Sequence, residues 1–378
     1  MDLGLNEAQQ MLQNVARQFL AVESSSDYVR EMEDDVKGYT LEMWRKLAEL
    51  GWFGLPFPED LGGAGGDFLD ICVVISEMGR TLLPGPFFSS VILAGLTIMD
   101  VGSESQKKEF LPRIANGELI ATMALTESSG RWDSSGITDV KAIRRGGEFL
   151  LNGDKLFVEN AHVADYLLVA VRTRTTVNLQ KGITFLIIPS NSKGIRTTVL
   201  RTIGSDRQCE IKFSNVRVPI TSVLGEIGEG WPIAQRALQR AATAKSCEMV
   251  GAIEKVLEMT VEYVKERIQF GRPIGSFQAI QHHCANMAVD VEGSKYIAYQ
   301  AAWALAQGEE SPGKVSAAKA WVSDASKRVC ELAHQCHGAI GFTREYDLQL
   351  YTRRIRAGEL LYGDADFHKA IAATAMGI

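Results

Sequence analysis

Few groups of residues in this sequence have the types and spacing to do chemistry unaided. Cys330, His334, Cys336 and His337 bring four metal-capable donors within eight positions. Four-ligand zinc sites are normally assembled from Cys-x-x-Cys pairs, and the chain has none, so no metal ligands are assigned. His282-His283-Cys284 sets a thiol beside imidazoles, the ingredients of a nucleophile and its base. Adjacent side chains on a helix point in different directions, which removes that reading. Neither a Gly-x-Ser-x-Gly elbow nor a phosphate loop is present. The cluster Gly62, Gly63, Gly65, Gly66 lacks the strand-then-helix context of a phosphate cradle and reads as tight turning.

The chemistry has to be sought in what the elements bring together. With 378 residues the chain can bury roughly 75% of its unfolded surface, enough for two or three domains without disulfide or metal support. Its 40 basic and 46 acidic residues give a formal charge of −6 with no basic stripe, which disfavours nucleic acid and anionic membrane surfaces. Cys72, Cys209, Cys247, Cys284, Cys330 and Cys336 are scattered without framework spacing, as in a reducing compartment. Met1 to Gln10 is acidic and polar where a signal peptide would be basic then apolar, and no run of about 18 apolar residues occurs. A cytoplasmic protein is expected.

From Asn6 to Met99 apolar residues recur at helical intervals, as in Leu12, Val15, Ala16, Phe19 and Leu20, and Thr40 is placed to cap the helix carrying Trp44, Leu47 and Ala48. Between these helices, Gly51 to Gly66 is too rich in Gly and Pro for either regular structure. From about Glu118 to Gly225 the texture changes to short β-branched runs, among them 166–171, 183–188 and 209–213. They do not alternate with helices, so a doubly wound dinucleotide fold is not expected. Helical periodicity returns from Trp231 to the end. The expected fold is mainly α with a central β domain: an N-terminal helical domain (1–118), a small β-barrel or sandwich (119–225) and a C-terminal four-helix bundle (226–378).

That order, with five local strings, resembles the acyl-CoA dehydrogenase family over the whole chain. The strings are Gly51-Trp-Phe-Gly-Leu-Pro-Phe-Pro-Glu-Asp-Leu-Gly-Gly63, Ala124-Leu125-Thr126-Glu127, Phe213-Ser-Asn-Val-Arg-Val-Pro219 with Leu224-Gly225, Glu266-Arg-Ile-Gln-Phe-Gly-Arg-Pro-Ile274, and Gln335-Cys-His-Gly-Ala-Ile-Gly-Phe342. The ending Tyr362-Gly-Asp-Ala-Asp-Phe-His368 is similar to the small subunit of two-gene bacterial enzymes such as pimeloyl-CoA dehydrogenase and the steroid side-chain dehydrogenases. The resemblance implies FAD, an acyl-CoA thioester substrate, α-proton removal by a carboxylate with hydride transfer to the flavin, and an electron-transfer flavoprotein as acceptor. It also implies that one subunit clamps the FAD seated in another.

On that resemblance Arg267 meets the pyrophosphate of a neighbour's FAD, followed by Phe270, Ile274, Phe277, Gln278 and Ile280, while Gln335 and Gly338 form a second clamp. Taken alone, Arg267 is equally a helix-end charge and Gln335 to Gly341 a helix-ending turn. The chain's own flavin seat departs from the family pattern. After Leu125 and Thr126, Arg131 and Trp132 stand where the family has Gly and Ser, and Phe157-Val158-Glu159 stands for Trp-Ile-Thr/Ser. Glu159 thus puts an acceptor-only carboxylate where a hydroxyl donates to flavin N5. Trp132 and Phe157 also read as core-facing aromatics. Tyr362 occupies the position of the family's catalytic Glu, and the alternative base position and its neighbour are Ala241 and Ala242. A phenol with an ordinary pKa of about 10 would have to be strongly depressed to serve. Asp364, with Glu359, is the nearest carboxylate that could replace the base, and Asp364 is also a plausible turn or cap residue. Three readings stay open: a subunit paired with a better equipped family member, a self-sufficient enzyme with an unusual base, and a non-redox scaffold for acyl-CoA or a protein.

Overall fold

The helix signals of the first third become α1 (Glu7–Glu23), α2 (Ser26–Asp34), α3 (Leu41–Glu49), α4 (Phe68–Arg80), α5 (Leu96–Val101) and α6 (Glu104–Ala115) in the computed structural model, which describes residues 4–309 and 311–378. Met1 to Leu3, part of the segment read against a signal peptide, lie outside the described residues. Side-chain caps account for several starts: Thr40 Oγ1 accepts from Met43 N at 3.1 Å, and Asn6/Gln9, Asp67/Asp70 and Ser103/Gln106 form capping boxes. The loop between α3 and α4 turns so tightly that a Cβ on Gly63 would lie 2.0 Å from the Phe57 carbonyl oxygen. A π-helical segment, Phe88–Gly95, leads into α5.

The middle segment forms β1 (Ala121–Ala124), β2 (Lys141–Arg145), β3 (Glu148–Glu159), β4 (Tyr166–Arg172), β5 (Ile183–Pro189), β6 (Ile195–Leu200), β7 (Gln208–Pro219) and β8 (Val223–Leu224). Their order in one sheet is β6-β7-β3-β2-β4-β5-β8, with β1 added in parallel to β4. Apart from the β1–β4 and β2–β4 pairings every pairing is antiparallel, as the absence of alternating helices requires. Leu167–Val171 and Ile183–Ile188 are buried residue after residue, which explains why their sequences run apolar without alternation.

The last third is α7 (Gly230–Glu266), a hairpin of β9 (Ile268–Gln269) and β10 (Arg272–Pro273), then α8 (Gln278–Ala306), α9 (Pro312–His337), α10 (Leu348–Leu360) and α11 (Ala365–Ala375). Helices α7, α8 and α9 pack on one another, α11 packs on α9, and α10 lies against α7 and α9. With 37 residues, α7 is about 55 Å long at 1.5 Å per residue. It begins against β5, crosses α4, and ends at the hairpin. The crossing is close because both helices present glycine: a Cβ on Gly79 would lie 1.9 Å from the Glu248 carbonyl oxygen, and one on Gly251 would lie 1.8 Å from that of Ser76. No helix among the described residues is long and apolar enough to cross a membrane.

Candidate active site

The end of β3, the turn after α10, the π-helical segment and the middle of α7 converge on one pair, buried Tyr362 and half-buried Glu159. Tyr362 donates its hydroxyl hydrogen to Glu159 Oε1 in a very short contact. Phe88 stacks on the Tyr362 ring at 5.6 Å, and Trp132 tilts against its edge at the same distance. Lys245 Nζ lies 4.3 Å above the Phe88 ring and 2.6 Å from Glu248. Tyr362 holds a positive φ of 61°, a conformation a non-glycine residue keeps only where its surroundings fix it. Two buried groups do so. Lys319, wholly buried, donates to the Glu359 and Gly363 carbonyls at 2.9 and 3.0 Å and to Ser323 Oγ, and His368 Nε2 meets the Tyr362 carbonyl at 3.0 Å.

The electrostatics decide which of these groups can move a proton. Burial, and then the Glu159 carboxylate, push the Tyr362 phenol well above its ordinary range. That is the opposite of what a base at this position needs, so Tyr362 is a hydrogen-bond donor. Burial likewise raises Glu159, only partly countered by Lys245 and by the Tyr362 hydroxyl. Burial alone would lower Lys245, but Glu248 and Glu159 outweigh it and hold the ammonium charged. Lys319, with no carboxylate in contact, is pushed down to about 7 by burial and by Lys245.

Asp364 is corrected by its position. It caps α11, accepting from Phe367 N at 2.8 Å, and its side chain faces outward. Glu359 is engaged with Arg356 at 3.1 Å. Neither lines the cavities beside Tyr362: Asp364 is exposed at the start of α11, and Glu359 is turned to Arg356. Ala241 and Ala242 are wholly buried and offer nothing titratable. The carboxylate at the centre of the site is Glu159.

Leu125, Thr126, Trp132, Phe157 and Glu159, the residues assigned to the chain's own flavin seat, do come together, with Leu93, Met123, Ala237, Leu238 and Tyr362. The cavity they enclose is about 20 Å³, room for one water. Trp132 occupies the space beside Tyr362. Phe157 is 45% exposed at φ 57°, so it is not the core aromatic that its type allows. Lys155 braces the seat: fully buried at the middle of β3, it donates to the Leu125 carbonyl at 2.8 Å and to Glu127 at 2.7 Å. Glu127 also accepts from the backbone N–H groups of Thr138, Asp139 and Val140, tying the loop that carries Trp132 to the sheet.

The residues that the resemblance implies as a clamp on a neighbour's FAD are gathered at the opposite end of the bundle, on the outside. Phe270 and Gly271, both at positive φ, make the two-residue turn of the β9–β10 hairpin. Phe270 is 92% exposed and meets Phe277 edge-on at 6.0 Å, while the Arg272 guanidinium lies 4.2 Å from the Phe277 ring. Arg267 ends α7, exposed, its guanidinium unpaired among the described residues. Ile274 continues from β10, and Gln278 opens α8, also exposed. Ile280 lines an open recess with Cys284, and Gln335 and Gly338 line another at the end of α9. Tyr263 stacks on His337 at 4.4 Å, which joins the two clamps at one end of the bundle. His334 and His337 serve this end structurally, bonding to Thr352 and Tyr346.

Comparison with known proteins gives this arrangement its family. The family models described as the acyl-CoA dehydrogenase N-terminal, middle and C-terminal domains match residues 6–118, 122–216 and 228–377. Acryloyl-CoA reductase (NADH) of Anaerotignum propionicum is 30% identical over 378 residues, covering 99% of this chain and 95% of its own. Butyryl-CoA dehydrogenase of Megasphaera elsdenii superposes with a TM-score of 0.91 at 28% identity, over the full length of both chains. A chain of the ChsE4-ChsE5 complex of Mycobacterium tuberculosis superposes equally well, 0.91 at 26% identity, over 100% of this chain and 99% of that one. The chain belongs to the acyl-CoA dehydrogenase family of FAD-dependent oxidoreductases. Tested against FAD, its two ends differ. The exposed aromatic and guanidinium groups at the outer end suit a dinucleotide, whereas at the other end Trp132, Glu159 and Tyr362 leave a cavity of about 20 Å³.

Proposed function

We propose that this chain is the clamp subunit of a two-subunit acyl-CoA dehydrogenase, comparable to the small subunits of two-gene bacterial enzymes. The partner, a second member of the family, supplies the catalytic carboxylate and a complete flavin seat. This chain contributes Arg267, Phe270, Ile274, Phe277, Gln278, Ile280, Gln335 and Gly338 to the partner's FAD. The assembly desaturates an acyl-CoA thioester, passes its electrons to an electron-transfer flavoprotein, and works in the cytoplasm. In this reading the chain divides at 118/119 and 225/226. The observation that carries it is the asymmetry of the two ends: the clamp is laid out at the surface, whereas the ring position is reduced to about 20 Å³ by Trp132, Glu159 and Tyr362.

The test is the visible spectrum and FAD-to-protein ratio of the chain purified alone and co-expressed with a second family member encoded beside it. Colourless protein alone and about one FAD per heterodimer are expected. A homo-oligomer with full FAD that oxidises an acyl-CoA would overturn the reading and leave Glu159 as the carboxylate to test as base.

A further inference from the structure

A second cavity, about 90 Å³, lies on the other side of Glu159 from the ring position. Its walls come from all three parts of the chain. Ile75 and Met78 of α4 and the Leu83–Phe88 segment supply the apolar side. Glu159, Asp206 and Glu248 face Lys245, Arg207 and Arg354 on the polar side, three acids against three cations. Small residues keep the space open along α10, where Ala357 and Gly358 follow Arg354.

Most of these charges are already satisfied. Lys245 is 2.6 Å from Glu248. Asp206 accepts from Thr202 Oγ1 at 2.6 Å and Gln208 Nε2 at 2.5 Å, and Glu159 accepts from Tyr362. Arg207 Nη2 donates to the carbonyls of Met32, Glu33 and Asp35. What remains is the Nε of Arg207 and the Nε of Arg354, both buried and both without an acceptor. Among the described residues Arg354 forms neither a hydrogen bond nor an ion pair, although its neighbour Arg353 pairs with Glu33. Buried N–H donors in folded proteins are ordinarily bonded, and two orphans on one cavity wall call for an acceptor from outside the chain. A planar guanidinium prefers an anionic oxygen pair.

We propose that this cavity binds the free carboxylate of a short acyl group, with the guanidinium groups of Arg354 and Arg207 as its donors. Its volume suits a carboxylate with a few methylenes, and its apolar wall would receive the methylenes. The ligand is thus an ω-carboxyacyl thioester or a free short dicarboxylic acid. The proposal rests on the family assignment alone and does not depend on the two-subunit reading, because the full chain by itself carries the cavity.

Calorimetric titration of the purified full chain with succinyl-CoA, butyryl-CoA and free succinate tests it. Succinyl-CoA is expected to bind at least tenfold more tightly than butyryl-CoA, and Arg354→Gln to bring the two within twofold. Arg354→Lys, which keeps the charge and loses the fork, should retain part of the preference, and it carries the test if Arg354→Gln does not fold. Binding of succinate without succinyl-CoA, abolished in the same variants, would assign the site to a free acid. Equal affinity for the two thioesters, a preference indifferent to both substitutions, or no binding of any probe would overturn the proposal. None of these readouts involves FAD, so they stand apart from the cofactor ratio that tests the clamp.

Discussion

Glu159 is a carboxylate kept in a place that disfavours its charge. Burial raises its proton affinity, Lys245 and the Tyr362 hydroxyl offset only part of this, and the net shift is upward. The sign of the linkage follows. A group whose folded pKa lies above its unfolded value of about 4.3 contributes stability that is fully present below that value, and this contribution is lost as pH rises through the folded pKa. Glu159→Gln keeps an acceptor for the Tyr362 hydroxyl and cannot ionise. The difference in melting temperature, variant minus wild type, should therefore grow more positive between pH 4.5 and pH 8. Thermal unfolding across that range checks it, and a difference that is flat, or larger toward acid, would remove Glu159 as a strained carboxylate. The family resemblance implies a place for Glu159 at the flavin seat through the Phe157-Val158-Glu159 string. Its bond to Tyr362 was not legible, because the two are 203 positions apart and meet only through a turn held by Lys319 and His368. Lys319 and Lys245 did leave a trace: each is a lone lysine inside an apolar helical run, 317–322 and 241–247, where a buried charge must find carbonyls or carboxylates.

The order of elements was legible because each rests on a local rule: helical periodicity with caps such as Thr40, β-branched runs bounded by turn residues, and breakers at Gly51–Gly66. The crossing of α4 and α7 was not. A glycine inside a helix is locally unfavourable by about 1 kcal/mol against alanine, and its purpose appears only when a second backbone lies against it. Gly79 and Gly251 do this reciprocally, and the crossing sets the distance between Ile75 and Met78 on one helix and Lys245 and Glu248 on the other, which face each other across the 90 Å³ cavity. Gly251→Ala places a methyl 1.8 Å from the Ser76 carbonyl oxygen, so the helices have to part. Overpacking of this kind costs about 1–3 kcal/mol. Denaturant unfolding should show that loss, whereas Gly147→Ala, where an added Cβ meets nothing within 4 Å, should fall within about 0.5 kcal/mol of wild type. Equal stabilities for the two variants would mean that the crossing is looser than described.

At the scale of the molecule, the two ends of α7 lie in different surroundings. Its first half borders the small cavity beside Trp132 and Tyr362 through Ala237 and Leu238, and its last residues lead to Arg267 and the hairpin, where Phe270 is 92% exposed. The strings that mark this end were readable as a motif, but a single sequence does not state on which chain a clamp closes, since the complementary surface is encoded elsewhere. Arg267 separates a role within the chain from a role between chains. Its guanidinium has no partner among the described residues, so Arg267→Ala should leave the melting temperature of the isolated chain unchanged within about 1 °C, as a surface substitution away from any contact does. On the proposed clamp reading, the same substitution in the co-expressed assembly removes a charge-assisted bond to the pyrophosphate, an interaction worth about 1.5–3 kcal/mol. FAD should then bind about ten- to a hundredfold more weakly, read as flavin lost on gel filtration and restored by excess FAD. If Arg267→Ala instead destabilises the isolated chain while the assembly keeps its flavin, Arg267 serves the end of α7 in its own subunit, and the clamp must be sought among Gln335, Gly338 and the recess beside them.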